Sequence, residues 1–178
     1  TSEIKNSSVS FKNFLLYKRV EKNLIKSHIL AYQSIKEVSP NFQVSVVKHV
    51  RVFDSDNKPW NLVQAWLMQY LQTHSFMKRD VNYIDEIGLN YYRYTKFGRQ
   101  IYFLKTDIGW NAYPSGIYDA LMLLNRYHKP IYIAEAGLAD NDDDMRGDYL
   151  ATQIKAVARA LNEGVDIRGH MYWSLMDN

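Results

Sequence analysis

The chain has 178 residues, 47% hydrophobic and 14% aromatic, enough for one globular unit with a sizeable core. Its net charge of +3 comes from scattered basic residues and offers no stripe for nucleic acid or an anionic membrane. It contains no cysteine, which removes disulfides, thiolate metal sites and a cysteine nucleophile, and which fits a reducing cytoplasm. No run of about 18 apolar residues calls for a membrane span. The fourteen tyrosines suit either core and interface filling or a carbohydrate-facing surface. Residues 1–10 carry no basic-then-apolar signal pattern and no initiator methionine, so the gene product is expected to start further upstream.

Residues 11–38 show apolar positions at helical spacing: Leu24, Ile25, His28, Ile29, Ala31, Tyr32, Ile35 and Val38. Ser39, Pro40 and Asn41 stop that helix. Residues 42–53 read as a strand centred on Val44, Val46 and Val47. Pro59 opens a helix running through Trp60, Leu62, Val63, Trp66, Leu67, Tyr70 and Leu71. Residues 84–92 form a second strand ending in Asn90, Tyr91 and Tyr92, and residues 93–111 are expected as a long loop over the strand ends. Tyr113, Pro114, Ser115 and Gly116 begin a helix through Ile117, Leu121 and Leu124, followed by a third strand over 131–134. Residues 139–144 read as a solvated acidic loop. Residues 149–162 read as a helix with Leu150, Ile154, Val157 and Leu161 as its apolar stripe, closed by Gly164. A fourth strand is predicted over 168–175.

Repeated helix–strand units require parallel strands with helical crossovers, and no strand is followed by a glycine-rich phosphate loop. Polar residues gather at the strand ends: His49 or Arg51, Asn90 and Tyr92, Glu135, then Trp173 and Ser174. Convergence of that kind is the pattern of a (β/α)8 barrel active site, and four units make half of one. Glu135 ends an apolar run before Ala136 and Gly137. A carboxylate there either caps the strand and points to water or faces a polar cleft and performs chemistry. Tyr91, Trp110, Tyr113 and Trp66 read as core or surface, and Met171 and the aromatics of 60–70 as packing. His28 and His128 have no second ligand at metal spacing, so neither a metal nor a cofactor is expected.

Four segments together resemble the C-terminal half of glycoside hydrolase family 1, the β-glycosidases (β-glucosidase-like). They are residues 84–92 (IDEIGLNYY), residues 107–110 (DIGW) with 113–118 (YPSGIY), residues 131–137 (IYIAEAG), and residues 164–169 (GVDIRG) leading to 172–178 (YWSLMDN). The resemblance covers residues 11–178 and implies that the whole chain, 1–178, supplies about strands 5–8 of a single α/β (β/α)8 TIM barrel domain. It implies a retaining mechanism on a β-glycoside substrate, hydrolysing terminal non-reducing β-D-glycosyl residues. By the same resemblance Glu135 is the nucleophile, Tyr92 supports it with a hydroxyl, Asn90 lies close to the same carboxylate, and Trp173 forms a platform for the sugar.

Two departures from the family pattern stand out. The family's Thr-Glu-Asn-Gly reads Ala134-Glu135-Ala136-Gly137 here, for which weakened activity is expected rather than a changed reaction. The family's acid/base Glu, in an Asn-Glu-Pro motif on the fourth strand, has no counterpart in these 178 residues. The expected partner is therefore the N-terminal half of the barrel, on the same or another chain, and the chain alone is expected to be inactive. The alternative is a non-catalytic sugar-binding or self-assembling half barrel.

Overall fold

A computed structural model describes residues 11–99, 104–174 and 176. It divides into two compact units, Thr1–Phe42 and Gln43–Asn178. Among the described residues the first holds one helix, α1 (Phe11–Val38), with the bounds its spacing predicts. Ile25 of the predicted stripe is buried, while Leu24, Ile35 and Val38 are exposed. The end of α1 is closed by Lys36, whose ammonium donates to the carbonyls of Pro40 (3.2 Å) and Phe42 (2.6 Å). A cation suits the negative end of the helix dipole.

The second unit is built on four parallel strands. They are β1 (Ser45–His49), β3 (Glu86–Tyr91), β7 (Ile131–Ala136) and β8 (Ile167–Tyr172), hydrogen-bonded in that order. Spatial order equals chain order, with no reversal of the kind that marks a doubly wound sheet. The connections carry helices α2 (Pro59–Gln69), α3 (Ser75–Asp80), α4 (Gly116–Asn125) and α5 (Arg146–Asn162).

One face of the sheet forms the core. Ile87, Leu89, Tyr91, Ile131, Ile133 and Ala136 are buried against Ile117, Ala120, Leu121 and Leu124 of α4 and Ala156, Val157 and Ala160 of α5. Each fully buried Leu or Ile is worth about 1.5–3 kcal/mol, so this layer dominates the unit's stability. The apolar stripe of α5 differs from expectation. Tyr149, Gln153, Ala156, Val157 and Ala160 are buried, whereas Ile154 and Leu161 are exposed. The small alanines let the helix backbone approach its neighbours, which turns the larger aliphatics outward.

The predicted strand 42–53 is broken in two. After His49, the amide of Val50 donates to the carbonyl of Asn90, and the chain then leaves the main sheet. It continues as β2 (Val52–Ser55), which pairs in parallel with β4 (Tyr94–Phe97) in a separate two-stranded sheet. Gln69 holds the break: its side-chain carbonyl accepts the Phe53 amide, and its NH2 donates to the Arg51 carbonyl and Thr73 hydroxyl. The predicted loop 93–111 accordingly contains β4, β5 (Leu104–Lys105) and β6 (Asn111–Ala112), the last two antiparallel. Gln100, Ile101, Tyr102 and Phe103 of that segment, and Leu175 of the predicted fourth strand, lie outside the described residues.

Helix α2 starts at Pro59 as expected, then widens into a π-helical turn, Tyr70–His74, before α3. Trp60 and Trp66, read as packing, are exposed, and so is Met171 on β8. Helix α5 begins three residues earlier than predicted because Asp140 is not a solvated loop residue. It is buried, and its Oδ2 accepts the backbone amides of Met145 (3.0 Å) and Arg146 (2.9 Å). Gly164 closes the helix with φ +90°, and the Val165 amide reaches back to the Ala160 carbonyl, the hydrogen bond of a left-handed glycine cap.

Candidate active site

The position of Glu135 depends on a one-residue irregularity. Side chains alternate along a strand, so Glu135 should share the buried helix-facing side with Ile131 and Ile133. The register prevents this: Leu89 pairs with Ile133, but Asn90 pairs with Glu135, leaving Ala134 as an extra residue in β7. Such a bulge re-aims the side chain that follows it. Glu135 is placed level with Asn90, which in turn pairs with His49 of β1. Ala136, level with Tyr91, returns to the buried face.

Tyr92, just past the end of β3, donates its hydroxyl to Glu135 Oε2 at 2.7 Å. Burial first, and then that carboxylate, push the Tyr92 phenol well above its ordinary range, so it holds its proton and remains a donor. His49 lies beside it, with ring centroids 6.0 Å apart. Burial lowers the His49 pKa, and Arg93, Lys48 and Arg51 lower it further against the opposing pull of Glu135. Asn90 Oδ1 is buried and accepts no hydrogen bond from the described residues.

Gly137 fixes the next strand relative to the carboxylate. A Cβ on Gly137 would lie 2.1 Å from the carbonyl oxygen of Trp173, whose own amide donates to the Ala136 carbonyl at 2.9 Å. The glycine therefore lets the end of β8 close over the end of β7. Beside this junction lies a cleft of about 510 Å³ whose walls include Tyr92, Trp110, Trp173, Asp107 and Arg146. Trp110 meets Tyr92 edge-on at 6.3 Å, and the Arg93 guanidinium sits 4.7 Å over the Trp110 ring.

The structure thus brings Tyr92, Asn90 and Glu135 together and places Trp173 at the neighbouring strand end, exposed on the cleft wall. Trp110 lines the cleft instead of serving only as core or surface. Its signal was its place in the Asp107–Trp110 segment ahead of Tyr113. Tyr91 is core, with its hydroxyl on the Tyr113 carbonyl. Among the described residues, no three His, Asp or Glu side chains are grouped to hold a metal ion.

Parallel strands in chain order, helices on one face and polar side chains gathered at the strand ends define part of a (β/α)8 barrel. The chain matches the model of Glycosyl hydrolase family 1 over residues 62–178 and belongs to that family. It is 31% identical to a β-galactosidase of Sulfolobus acidocaldarius, covering 95% of this chain and 42% of that protein. A match of 44% identity to β-glucosidase A of Acetivibrio thermocellus covers 43% of this chain and 19% of that protein. A hyperthermophilic β-glucosidase mutant that forms dodecamers in its crystals superposes with a TM-score of 0.82 at 31% identity, over 90% of this chain and 40% of its own. The β-glycosidase from Pyrococcus horikoshii gives 0.79 at 29% identity, over 89% of this chain and 44% of its own. The chain therefore spans about two fifths of the length of its long-matching relatives.

Proposed function

We infer that this chain supplies the nucleophile side of a retaining β-glycosidase site that hydrolyses terminal non-reducing β-D-glycosyl residues. The observation that carries this reading is the 2.7 Å hydrogen bond from the Tyr92 hydroxyl to Glu135 Oε2. It ties up one carboxylate oxygen and leaves the other to attack. Glu135 forms a bond to the anomeric carbon while the glycosidic C–O bond breaks and the leaving oxygen takes a proton from a second carboxyl group. Water, deprotonated by that same second group, then displaces Glu135 and releases the sugar with its configuration retained. Asn90 lies level with the nucleophile, and Trp173 offers its ring to the apolar face of the sugar. The similarity to a β-galactosidase and a β-glucosidase supports a β-linked hexoside.

The second carboxyl group belongs to the N-terminal half of the barrel, on the same or another polypeptide, since these residues contain no Asn-Glu-Pro. β1 and β8 are the outer strands of the sheet, each with one neighbour among the described residues, which supports further strands pairing at those edges. Without the proton donor the chain alone should be slower by about 10²–10⁴-fold on ordinary glycosides.

A dinitrophenyl 2-deoxy-2-fluoro-β-glucoside tests the reading, because its leaving group departs without protonation. Co-expression with an N-terminal half carrying Asn-Glu-Pro, followed by intact-mass and peptide analysis, should find one fluoroglycosyl unit on Glu135. A label on another residue, or none, overturns the assignment. No label with sugar binding intact would favour a non-catalytic binding protein, the reading that Ala134 and Ala136 favour.

A further inference from the structure

A second cavity, of about 610 Å³, lies away from the strand-end site and shares no lining residue with the cleft beside Tyr92 and Trp173. It is walled by α2, the β2–β4 pair and α4, with Trp66, Asp54, Tyr94, Asp119, Met122 and Arg126 among its lining. Its size falls within the range of small-molecule sites.

Three observations make it more than a gap between helices. Trp66 is 67% exposed although it lines the cavity, and it is stacked on Tyr70 with centroids 5.8 Å apart and an 18° tilt. A large aromatic braced in this way presents a flat, pre-set face at small entropic cost. Asp119 is half-buried, and no hydrogen bond to its carboxylate is found among the described residues; burial and the nearby Asp54 push its pKa up against the weaker opposing pull of Arg159. Asp54, by contrast, is committed to the Tyr94 hydroxyl (2.7 Å) and the Lys96 ammonium (2.9 Å). The third observation is the π-helical turn Tyr70–His74, whose flanking Gln69 and terminal His74 both line the cavity. Such turns recur at functional sites.

The charges choose the ligand class. Asp54 is neutralised by Lys96, and His74 holds the Tyr127 hydroxyl at 2.6 Å with its pKa lowered, first by burial. Among the charged side chains that line the cavity, the carboxylate of Asp119 and the exposed guanidinium of Arg126 remain, and their charges cancel. A balanced site of this kind has no net attraction for a cation or an anion. A carboxylate and a guanidinium beside an indole face do match a neutral polyol, whose hydroxyls both donate and accept and whose ring carbons stack on the aromatic.

The geometry points to a second, non-catalytic site for a neutral pyranoside in this cavity, with Trp66 as its stacking platform and Asp119 and Arg126 as its hydroxyl ligands. The site does not depend on the role of Glu135. Titration of the full chain with methyl β-D-glucopyranoside and with cellobiose, by calorimetry and saturation-transfer NMR, tests it. Trp66→Ala and the isosteric Asp119→Asn should each weaken binding about tenfold or more, with unchanged circular dichroism. Trp173→Ala and Glu135→Gln should leave this binding event in place, and Trp66→Ala should leave fluoroglycoside labelling of Glu135 unchanged.

Three results would overturn the proposal. One is no sugar binding by the wild-type chain. Another is binding lost only through Trp173→Ala or Glu135→Gln, which would assign all the sugar to the strand-end cleft. The third is a change in sedimentation on Trp66→Ala with no change in sugar affinity, which would make Trp66 a protein contact.

Discussion

Gly137→Ala is the sharpest probe of how the strand ends are assembled. The added methyl would sit 2.1 Å from the Trp173 carbonyl oxygen, whereas carbon–oxygen contacts settle at about 3.3–3.6 Å. Relief therefore needs a movement of about 1.2 Å or more. The obstacle is backbone, so no side-chain rotation can supply it, and the Trp173 amide is held by its bond to the Ala136 carbonyl. Overpacking of this kind costs about 1–3 kcal/mol, and loss of that hydrogen bond adds about 1 kcal/mol. A total of about 2–4 kcal/mol lowers Tm by roughly 5–15 °C in a chain of this size. Thermal unfolding followed by circular dichroism measures the shift, and tryptophan emission reports the displacement of Trp173. Gly147→Ala is the matched control, since nothing lies within 4 Å of its Cβ position in α5, and it should be neutral or slightly stabilising. If Gly137→Ala melts within about 2 °C of wild type with unaltered emission, the close apposition of the two strand ends is wrong.

A double-mutant cycle of Tyr92→Phe and Glu135→Ala, read by urea unfolding, should give a coupling of about 1–2 kcal/mol, at the low end for a charged hydrogen bond because both groups are partly exposed. Coupling near zero would remove the hydroxyl's claim to hold the carboxylate. The contribution of the buried tyrosines to stability should be flat below pH ~10 and fall as pH rises beyond it. Tyr91, Tyr92, Tyr94 and Tyr149 are all raised above their unfolded value, chiefly by burial, and Tyr127 is pushed up to about 12. The unfolded chain then loses protons that the folded chain keeps, by up to about 1.4 kcal/mol per pH unit for buried Tyr91 and less for the more exposed rings. Urea midpoints that stay level between pH 9 and 11 would contradict those environments. Asp140→Ala strips two amides at the start of α5 of their acceptor, so it should cost about 1–2 kcal/mol and speed hydrogen exchange at Met145 and Arg146. Unchanged exchange there would mean the side chain does not start the helix.

What the sequence made legible was whatever depends on local pattern. The glycine cap of α5, Pro59 at the start of α2 and the apolar runs of β3 and β7 are set by neighbours in the chain, and they appear where periodicity places them. The break between β1 and β2 was not legible, because Val50 and Val52 are both buried and apolar and continue the run. The break is made by Gln69, 16 and 18 residues from the two backbone groups it holds, and by a pairing with β4 that no local window contains. Asp140 misled for a related reason. In a run of acids each looks solvated, and only the amides of Met145 and Arg146 distinguish this one. Glu135 was legible as an acid at a strand end, but the bulge that orients it is a property of the ladder with β3.

The bulge separates the meanings of the two alanines that flank Glu135. Ala134 is the extra residue in the ladder, where the backbone has no partner level with it on β3. Ala136 is a different case: it lies level with Tyr91 on the helix-facing side and is fully buried. A polar amide there, as in the family pattern, would need a hydrogen-bond partner in the layer of Ile131, Ile133 and Leu121, or it would cost about 1–3 kcal/mol unpaired. In this chain Ala136 therefore acts on the core and not on the face that carries Glu135. The departure most able to alter how Glu135 is held is the one at Ala134, because that residue alone sits in the turn of backbone that brings the carboxylate level with Asn90 and within reach of Tyr92.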